Sequence, residues 1–325
     1  MATLVSESTL KKQSQLRPFD MRRDLLAVAD LVELCFRDTL DEDGRLYIHQ
    51  MRRTAQNSRL LSMASASAVN SDMPPGGFVW EEGGQLIGNL SLIPIAADGK
   101  RYYLIANVAV HPDHRRRGIA SQLTHVALDQ ALATSANQIW LQVDHSNQAA
   151  INLYQHNGFV EKAHRIAWIA QPLRGRALNA SFDVPIRGVK SEDWEQAEAW
   201  LQANYPDEVR WNLPLKIKQF QPGFSGSVQR LLGNRQYSQW AAEWGGECIG
   251  VLCWQSSTLT ADRLWLASNP EGETLAIPAL LSQAHSQLKR GRKMLLNYPA
   301  GRGENLFEEF GFRRLRQLKW MQYTG

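Results

Sequence analysis

Three consecutive arginines followed by small residues are the part of the sequence best suited to chemistry. They are Arg115, Arg116 and Arg117, and Gly118, Ile119 and Ala120 come directly after them. Backbone N–H groups at the start of a helix bind anions, and arginine adds a charge that pairs well with phosphate. The lack of a side chain at Gly118 lets a diphosphate approach the main chain. The pattern indicates an anion cradle, with an ordinary exposed basic loop as the alternative.

The neighbouring segments have the patterns of the elements that such a cradle needs. An apolar strand is expected to end directly before the turn, and residues 121–133 have the spacing of an amphipathic helix. Strands joined by glycine-containing turns are predicted at 78–82, 85–96 and 101–110. With helices predicted at 21–36 and about 45–61, the order of elements in the first half is β, α, α, β, β, β, α, β, α, β.

At two places the sequence resembles the GNAT superfamily of N-acetyltransferases. The first is similar to that family's acyl-CoA pyrophosphate loop and comprises Val108, Val110, Pro112, Arg115, Gly118 and Ala120, the last three in the pattern RxxGxA. The second is similar to the family's downstream signature and comprises Leu141, Val143, Asn147, Ala150, Leu153, Tyr154, Gly158 and Phe159. Both occur in the family's order, and the resemblance covers about residues 16–170.

The resemblance implies that an acetyl group passes from acetyl-CoA to an amine. It implies that a main-chain N–H near Val108 binds the thioester carbonyl, that Tyr154 donates a proton to the departing thiolate, and that Asn147 binds the pantetheine arm. The alternatives are a packed aromatic ring for Tyr154 and a helix N-cap for Asn147. The residues expected to bind the cofactor are Val108, Val110, Arg115, Arg116, Arg117, Gly118, Ile119, Ala120 and Asn147.

Neither the general base nor the acceptor follows from the resemblance. Many relatives carry a glutamate on the strand before the cradle, whereas residues 102–107 contain no carboxylate. Asp144, His145 and water are the candidates for the base. An acidic loop between the first two helices favours a cationic acceptor, with a solvated loop as the alternative; its residues are Asp38, Asp41, Glu42 and Asp43. A small polyamine or aminoglycoside-like amine, an amino acid, a peptide N-terminus and a lysine all stay open.

The second half repeats the landmarks of the first, which predicts an internal duplication. Ile186 and Arg187 correspond to Leu16 and Arg17, and a second glycine pair at 245–246 corresponds to the pair at 83–84. The chemistry is lost from this copy. When the copies are aligned on Pro112 and Pro270, Arg115 corresponds to Glu273, whose charge repels a diphosphate; by the downstream landmarks, Asn147 and Tyr154 correspond to Ala300 and Phe307.

The predicted fold class is therefore α/β, with an α+β mixed sheet in each of two tandem GNAT-like domains. Each central sheet is expected to be mostly antiparallel and flanked by helices. We expect a disordered tail at 1–14, a catalytic acyl-CoA-binding domain at 15–172, a linker at 173–184 and a degenerate domain at 185–325. The degenerate domain is expected to shape the acceptor site.

Composition limits the class of protein and its partners. A chain of 325 residues with 44% hydrophobic and 21% charged residues is typical of two soluble globular domains, and the net charge of +4 suits a small anionic ligand. We expect no metal, no membrane partner and no nucleic acid, because no pattern for zinc, a spanning segment or RNA binding is present. The sequence does not decide whether the chain forms a homodimer. The three cysteines and the polar N-terminus favour the cytoplasm, and the odd spacing of Cys248 and Cys253 predicts that they face opposite sides of a strand.

The function expected from these patterns is that of an N-acetyltransferase whose partner is a small-molecule or peptide amine. The alternative is a non-catalytic acyl-CoA-binding sensor that uses the degenerate domain to engage a partner. Tyr154 and Asn147 favour catalysis, whereas the missing carboxylate on the strand before the cradle favours the sensor.

Overall fold

A computed structural model describes residues 15–66, 76–97, 99–134, 136–171, 183–223, 236–257, 261–288 and 292–325, without the side chains of 63–66. The chain divides into two units. Unit 1 comprises residues up to 161 together with 320–325, and unit 2 comprises residues 162–319. The predicted tail and nearly all of the predicted linker lie outside the described residues. The predicted domain boundaries stay a prediction. Among the described residues, 162–171 and 320–325 fall in a different unit from the predicted domain.

The first half of the chain forms the elements β1 (Leu16–Pro18), α1 (Met21–Phe36), α2 (Glu42–Ala55), α3 (Ser58–Ala66), β2 (Gly77–Glu82), β3 (Gln85–Ala97), β4 (Lys100–Val110), α4 (Ile119–Ala133), β5 (Gln138–Asp144), α5 (Gln148–His156) and β6 (Phe159–Ala170). Within unit 1 the strand order is β1-β2-β3-β4-β5. The first four strands pair antiparallel, and β4 pairs parallel with β5. The predicted class, a mixed α/β sheet flanked by helices, is confirmed.

Helices pack against both faces of the unit 1 sheet. Side chains alternate along β2, so that Phe78 and Trp80 contact the core that contains α4 and α5, while Val79 contacts the core formed by α1 and α2. Helix α1 begins at its cap Asp20, whose side chain accepts a hydrogen bond from the Arg22 N–H at 2.8 Å. Its buried face includes Leu25, Val28, Ala29 and Val32.

Strand β4 departs from regular pairing on both of its sides. Against β3, the register shifts between Asn89 and Ser91, so that residues 107 and 108 together stand opposite Leu90. Against β5, the parallel register runs from Tyr102 to Ile105, yet both strands continue, β4 to Val110 and β5 to Asp144. A bulge bends a strand and leaves one residue out of the ladder. The ends of β4 and β5 therefore separate and leave main-chain groups available between them.

The second half forms β7 (Ile186–Arg187), α6 (Trp194–Asn204), α7 (Asp207–Arg210), β8 (Tyr237–Trp244), β9 (Glu247–Gln255), β10 (Ala261–Ser268), α8 (Glu273–Gln287), β11 (Lys293–Pro299), α9 (Glu304–Glu309) and β12 (Phe312–Tyr323). Within unit 2 the strand order is β12-β6-β11-β10-β9-β8-β7. In the part of the chain that the structure describes, no helix is both long and apolar enough to cross a membrane.

An ion-pair cluster recurs at the same place in both copies. In unit 1, Arg17 donates two hydrogen bonds to Asp24 and one to Glu81. In unit 2, Arg187 donates two to Asp193 and one to Glu243. Both copies also have a register shift beside the glycine turn of their first hairpin. The same side-chain types in the same arrangement support the internal duplication.

The shift in the second copy makes one prediction wrong. Cys248 and Cys253 were expected on opposite faces, yet both are buried in the same core with Val251. Between Gly250 and Cys248 the register of β9 against β8 shifts by one residue. One extra residue reverses the alternation of side chains, so an odd spacing places both thiols on one face.

The Arg187–Asp193 pair predicts a specific acid dependence of stability. The Arg187 guanidinium holds the pKa of Asp193 below its usual value, so the stabilisation is present above the ordinary carboxyl pKa and is lost as the pH falls through the lowered one. Asp193→Asn is expected to reduce the free energy of unfolding at neutral pH by about 2 kcal/mol, the value of charged hydrogen bonds to a buried carboxylate. Urea unfolding at a series of pH values measures it.

Asp24→Asn is the matched variant in the first copy, where burial raises the pKa of Asp24 but the bonds from Arg17 and the Asp20 N–H outweigh it. We expect this variant to lose a similar amount of unfolding free energy, and we expect its stability to depend less steeply on acid pH than that of the wild type. Unchanged urea midpoints at neutral pH in both variants would show that the two clusters do not stabilise the fold.

Candidate active site in unit 1

Three buried or half-buried polar side chains hold the bulge of β4 in place. The Asn89 amide donates to the Asn107 carbonyl oxygen at 2.9 Å, and the Asn107 amide donates to Ser91 Oγ at 3.2 Å. Asn107 adopts φ +50°, in the left-handed region where asparagine is tolerated better than most residues. The Asn107 carbonyl is bonded on the β3 side, and the Val108 N–H belongs to the same peptide group. Because the two groups of a trans peptide point in opposite directions, the Val108 N–H is directed toward the gap between β4 and β5.

The turn after β4 has the geometry of an anion cradle. Gly118 is the N-cap of α4 with φ +79°, and no side chain caps this helix. Arg116 also has a positive φ, of 61°. The first N–H groups of a helix lack intrahelical partners, and here the first intrahelical bond is that of the Gln122 N–H to the Gly118 carbonyl oxygen. The N–H groups at the start of α4 are thus able to bind an anion.

The three arginines of the cradle differ in what their side chains contact. Arg115 Nε donates to the Val110 carbonyl oxygen at 3.2 Å. Arg117 binds Glu82 through two hydrogen bonds of 2.9 and 2.8 Å and also contacts His114 Nδ1 at 2.6 Å. The Arg116 side chain is exposed. Arg117 therefore adds less free charge to the cradle than the sequence indicates, because Glu82 neutralises it.

The apolar residues of the predicted site contribute main-chain atoms. The Ile119 side chain is only 2% exposed, and it lies in the same core cluster that Val108 and Val110 contact. A ligand at the surface can therefore reach the Ile119 N–H but not its side chain. The structure brings these three residues and Tyr154 into one cluster, whereas Ala120 lies in the first turn of α4 directly after Ile119.

Tyr154 and Asn147 lie on α5, which follows β5. Tyr154 is buried, its ring packs against Phe159 with centroids 6.0 Å apart, and burial raises its pKa above the ordinary value. Such a phenol keeps its proton at neutral pH. Asn147 is exposed and caps α5, since its Oδ1 accepts from the Ala150 N–H at 3.1 Å. The cap role is thus present, and the amide nitrogen of Asn147 is not engaged by that bond.

Asp144, one of the candidate bases, is hydrogen-bonded within a turn. Asp144 Oδ1 accepts from the Ser146 N–H at 2.9 Å and from Ser146 Oγ at 2.5 Å. These bonds hold the chain between β5 and α5. Among the described residues, no group of three His, Cys, Asp or Glu side chains could hold a metal ion.

Two parts of the site were missed by sequence reasoning. Glu82 pairs with Arg117 across 35 positions, and nothing local in the sequence marks that pair. Asn89 and Ser91 did carry a signal, because they are polar residues at alternate positions of an otherwise apolar strand. Buried polar side chains need partners, and here the partner is the bulge.

The second copy keeps the separation of strands and loses the rest of the site. The parallel register of β10 with β11 ends at Leu264, and both strands continue. However, β10 pairs with β9 without any shift, and α8 begins at Glu273, so residues that correspond to the loop 115–118 are helical. The Leu266 N–H, which corresponds to that of Val108, donates to the buried Tyr205 hydroxyl at 3.2 Å.

Glu273 completes the change. Its carboxylate accepts hydrogen bonds from Tyr298 at 3.1 Å and from Arg302 at 3.0 and 3.2 Å. In the second copy the chain's own side chains therefore bind both the Leu266 N–H and the residue that stands in place of Arg115.

Comparison with known proteins agrees with this geometry. Residues 30–159 match the model of the acetyltransferase (GNAT) family. The matched region includes α2, the bulge of β4, the cradle and α5, and it ends at Phe159.

The similar proteins include acetyltransferases of different specificity. A mycothiol acetyltransferase of Parafrankia sp. (strain EAN1pec) is 32% identical over 133 residues, which are 37% of this chain and 40% of that protein. A [ribosomal protein bS18]-alanine N-acetyltransferase of Salmonella typhimurium is 41% identical over 59 residues, which are 18% of this chain and 40% of that protein. The chain thus spans well under half of either relative's length.

A solved structure shares the fold over both halves. A GCN5-related N-acetyltransferase from Sphaerobacter thermophilus superposes with a TM-score of 0.53 and 14% identity, over 95% of each chain. At this level of identity the similarity shows the fold alone.

Substituting the cradle glycine tests the cradle. Gly118→Ala is expected to destabilise the protein by about 1 kcal/mol or more, because an L-residue is strained at φ +79°, and to weaken acetyl-CoA binding about tenfold as the first N–H groups of α4 are redirected. Gly99→Ala is the matched control, since that glycine has φ +73° with open space around it, in the turn between β3 and β4. It should cost similar stability and leave acetyl-CoA affinity, measured by titration calorimetry, unchanged; equal affinity losses in both variants would count against the cradle.

Proposed function

We propose that the GNAT domain transfers an acetyl group from acetyl-CoA to a primary amine. The observation that carries the proposal is the order of features along β4, where a bulge at residues 107–108 is followed within ten residues by the uncapped start of α4. One feature exposes an N–H for a carbonyl oxygen, and the other exposes several for a diphosphate. The second copy lacks the bulge and carries the Glu273 carboxylate in the first turn of its corresponding helix, so we assign the chemistry to the first.

Each group has a separate role in this proposal. The Val108 N–H polarises the thioester carbonyl, and the N–H groups at the start of α4 bind the diphosphate with Arg115 and Arg116. Tyr154 gives its proton to the departing thiolate, which its raised pKa allows because the phenol stays protonated through the physiological range. The Asn147 amide nitrogen donates to the pantetheine arm while its oxygen caps α5.

Deprotonation of the acceptor is assigned to water in this proposal. β4 offers no carboxylate between residues 102 and 107, and Asp144 is held by Ser146. An amine has to be neutral before it can attack the thioester. Turnover should therefore rise with pH until the acceptor amine is deprotonated. The same lack of a base is the observation that favours the second candidate function, an acyl-CoA-binding sensor without turnover.

Release of free thiol from acetyl-CoA across a panel of amines separates the two functions. Turnover with one or more amines supports the enzyme, whereas acetyl-CoA binding without turnover supports the sensor. Tyr154→Phe is expected to lower kcat about 100-fold and to leave the KM for acetyl-CoA nearly unchanged, since it removes one proton donor from the transition state. Glu273→Gln, at the corresponding place in the second copy, should leave acetyl-CoA affinity unchanged. A Tyr154→Phe enzyme with the wild-type kcat contradicts the assigned role.

The charge of the loop before α2 tests the acceptor class. Asp41 is the N-cap of α2, and Glu42 and Asp43 occupy its first turn, so helix capping accounts for part of this acidic cluster. The triple variant Asp41→Asn, Glu42→Gln, Asp43→Asn removes three charges while Asn preserves the cap. We expect the KM of a cationic acceptor to rise about tenfold through lost charge attraction and that of acetyl-CoA to stay the same. A parallel rise of both constants, or of neither, is inconsistent with a cationic acceptor bound near this loop.

A further inference from the structure

The last six residues of the chain belong to the unit that carries the GNAT domain. Residues 320–325 lie in unit 1, and Met321 is completely buried in the core cluster that also contains Tyr154 and Ile119. The family match ends at residue 159, about 160 positions earlier in the sequence. The core of the candidate site therefore contains a segment that lies outside the matched region.

Within that segment, Tyr323 is joined to the proposed proton donor through a single intervening ring. Its ring lies edge-to-face on Phe159 with centroids 5.6 Å apart, and Phe159 in turn lies edge-to-face on Tyr154 with centroids 6.0 Å apart. Phe159 is 1% exposed. The three rings form a continuous stack that runs from the end of the chain to the Tyr154 phenol. Edge-to-face contacts fix the rotation of a ring as well as its distance.

The turn at the end of α5 is shaped to admit this segment. The Thr324 N–H donates to the Gly158 carbonyl oxygen at 3.0 Å. A side chain at Gly158 would meet Tyr323 Cε2 at 3.0 Å and the Gly325 backbone at 3.3 Å, and its φ of +84° already requires glycine. The Gly158–Phe159 pair, which the sequence marks as part of the GNAT signature, thus serves here as the contact surface for residues 323–325.

The second copy also joins three aromatic rings at this place, although its third ring packs on the residue that corresponds to Tyr154 and not on the one that corresponds to Phe159. In unit 2, Phe307 corresponds to Tyr154 and Phe312 to Phe159, and their ring centroids are 6.3 Å apart. Trp168, which follows the first copy in sequence but belongs to unit 2, packs on Phe307 with centroids 5.3 Å apart. Each unit thus completes its aromatic core with a residue from the strand that ends the other half of the sequence.

We infer that Tyr323 is a positioning residue for acetyl transfer, which acts through Phe159 to hold the Tyr154 phenol in one orientation. The role of Tyr154 in this inference rests on the proposed function, whereas the ring contacts do not depend on it. The inference assigns to the C-terminal strand a part in the chemistry of the first copy. Removal of the Tyr323 ring leaves a gap beside Phe159, into which that ring and then Tyr154 can move.

The test is kinetic and compares three variants of the full chain. Tyr323→Ala is expected to lower kcat about tenfold or more, since small displacements of a catalytic group are costly, while the KM for acetyl-CoA changes less than about twofold. Tyr323→Phe keeps the ring and is expected to retain the wild-type kcat. Gln322→Ala, which shortens the adjacent side chain on the opposite face of the strand, is the matched control and should not change kcat.

A double variant distinguishes positioning from a general loss of structure. In a Tyr154→Phe background the proton donor is already absent, so adding Tyr323→Ala should lower kcat little further. An equal loss in both backgrounds, or the same loss in Tyr323→Phe as in Tyr323→Ala, overturns the inference. If Tyr323→Ala does not fold, Tyr323→Leu retains the bulk without the ring, and the same comparison with Tyr323→Phe applies.

A readout without turnover keeps this inference separate from the proposed function. Tyrosinate absorbance is titrated with pH in the wild type and in Tyr323→Ala, each with and without Tyr154→Phe, and the difference within each pair reports the ionisation of Tyr154. Tyr323→Ala should move that ionisation to lower pH, because Tyr154 becomes less buried. If the Tyr154 ionisation shifts in Tyr323→Ala but no amine is turned over, the contact is supported and the enzymatic function is rejected. If amines are turned over but Tyr323→Ala changes neither the ionisation nor kcat, the role of Tyr323 is rejected.

Discussion

The separation of β4 from β5 after Ile105 is the constraint on which the candidate site depends. Neighbouring parallel strands normally satisfy each other's backbone groups, so a gap between them needs another source of stability. Here the bulge at residues 107–108 is held on the β3 side by Asn89 and Ser91. The amide and hydroxyl bonds replace part of the lost ladder on the β3 side of the bulge.

The two copies show how the same scaffold supports different sites. Both keep the parting of the parallel strands, which indicates that the parting belongs to the fold. In the second copy the Tyr205 hydroxyl accepts from the Leu266 N–H, and the Glu273 carboxylate binds Arg302. Because buried N–H groups and charges require partners, the second copy satisfies these groups with its own side chains.

Internal ion pairs divide the arginines of the cradle in a similar way. Arg117 is bound by Glu82 and touches His114, and the Arg117 guanidinium holds the pKa of Glu82 below its usual value. Arg115 bonds the Val110 carbonyl oxygen instead. One acidic residue from the β2–β3 hairpin therefore reduces the positive charge at the cradle. The three arginines are not equivalent as possible phosphate ligands.

The sequence by itself determined the mixed α/β class and the elements around the cradle, because these depend on local patterns of apolar spacing and glycine turns. It also predicts the cradle and the degeneracy of the second copy, the latter from the replacement of Arg115 by Glu273 at an aligned position. Tertiary structure decided what distant side chains do to those patterns. The Glu82–Arg117 pair, the bulge partner Asn89 and the packing of Tyr323 on Phe159 join residues far apart in the chain. A register shift of one residue placed Cys248 and Cys253 on the same face, since pairing between strands, and not spacing along one strand, sets which way a side chain points.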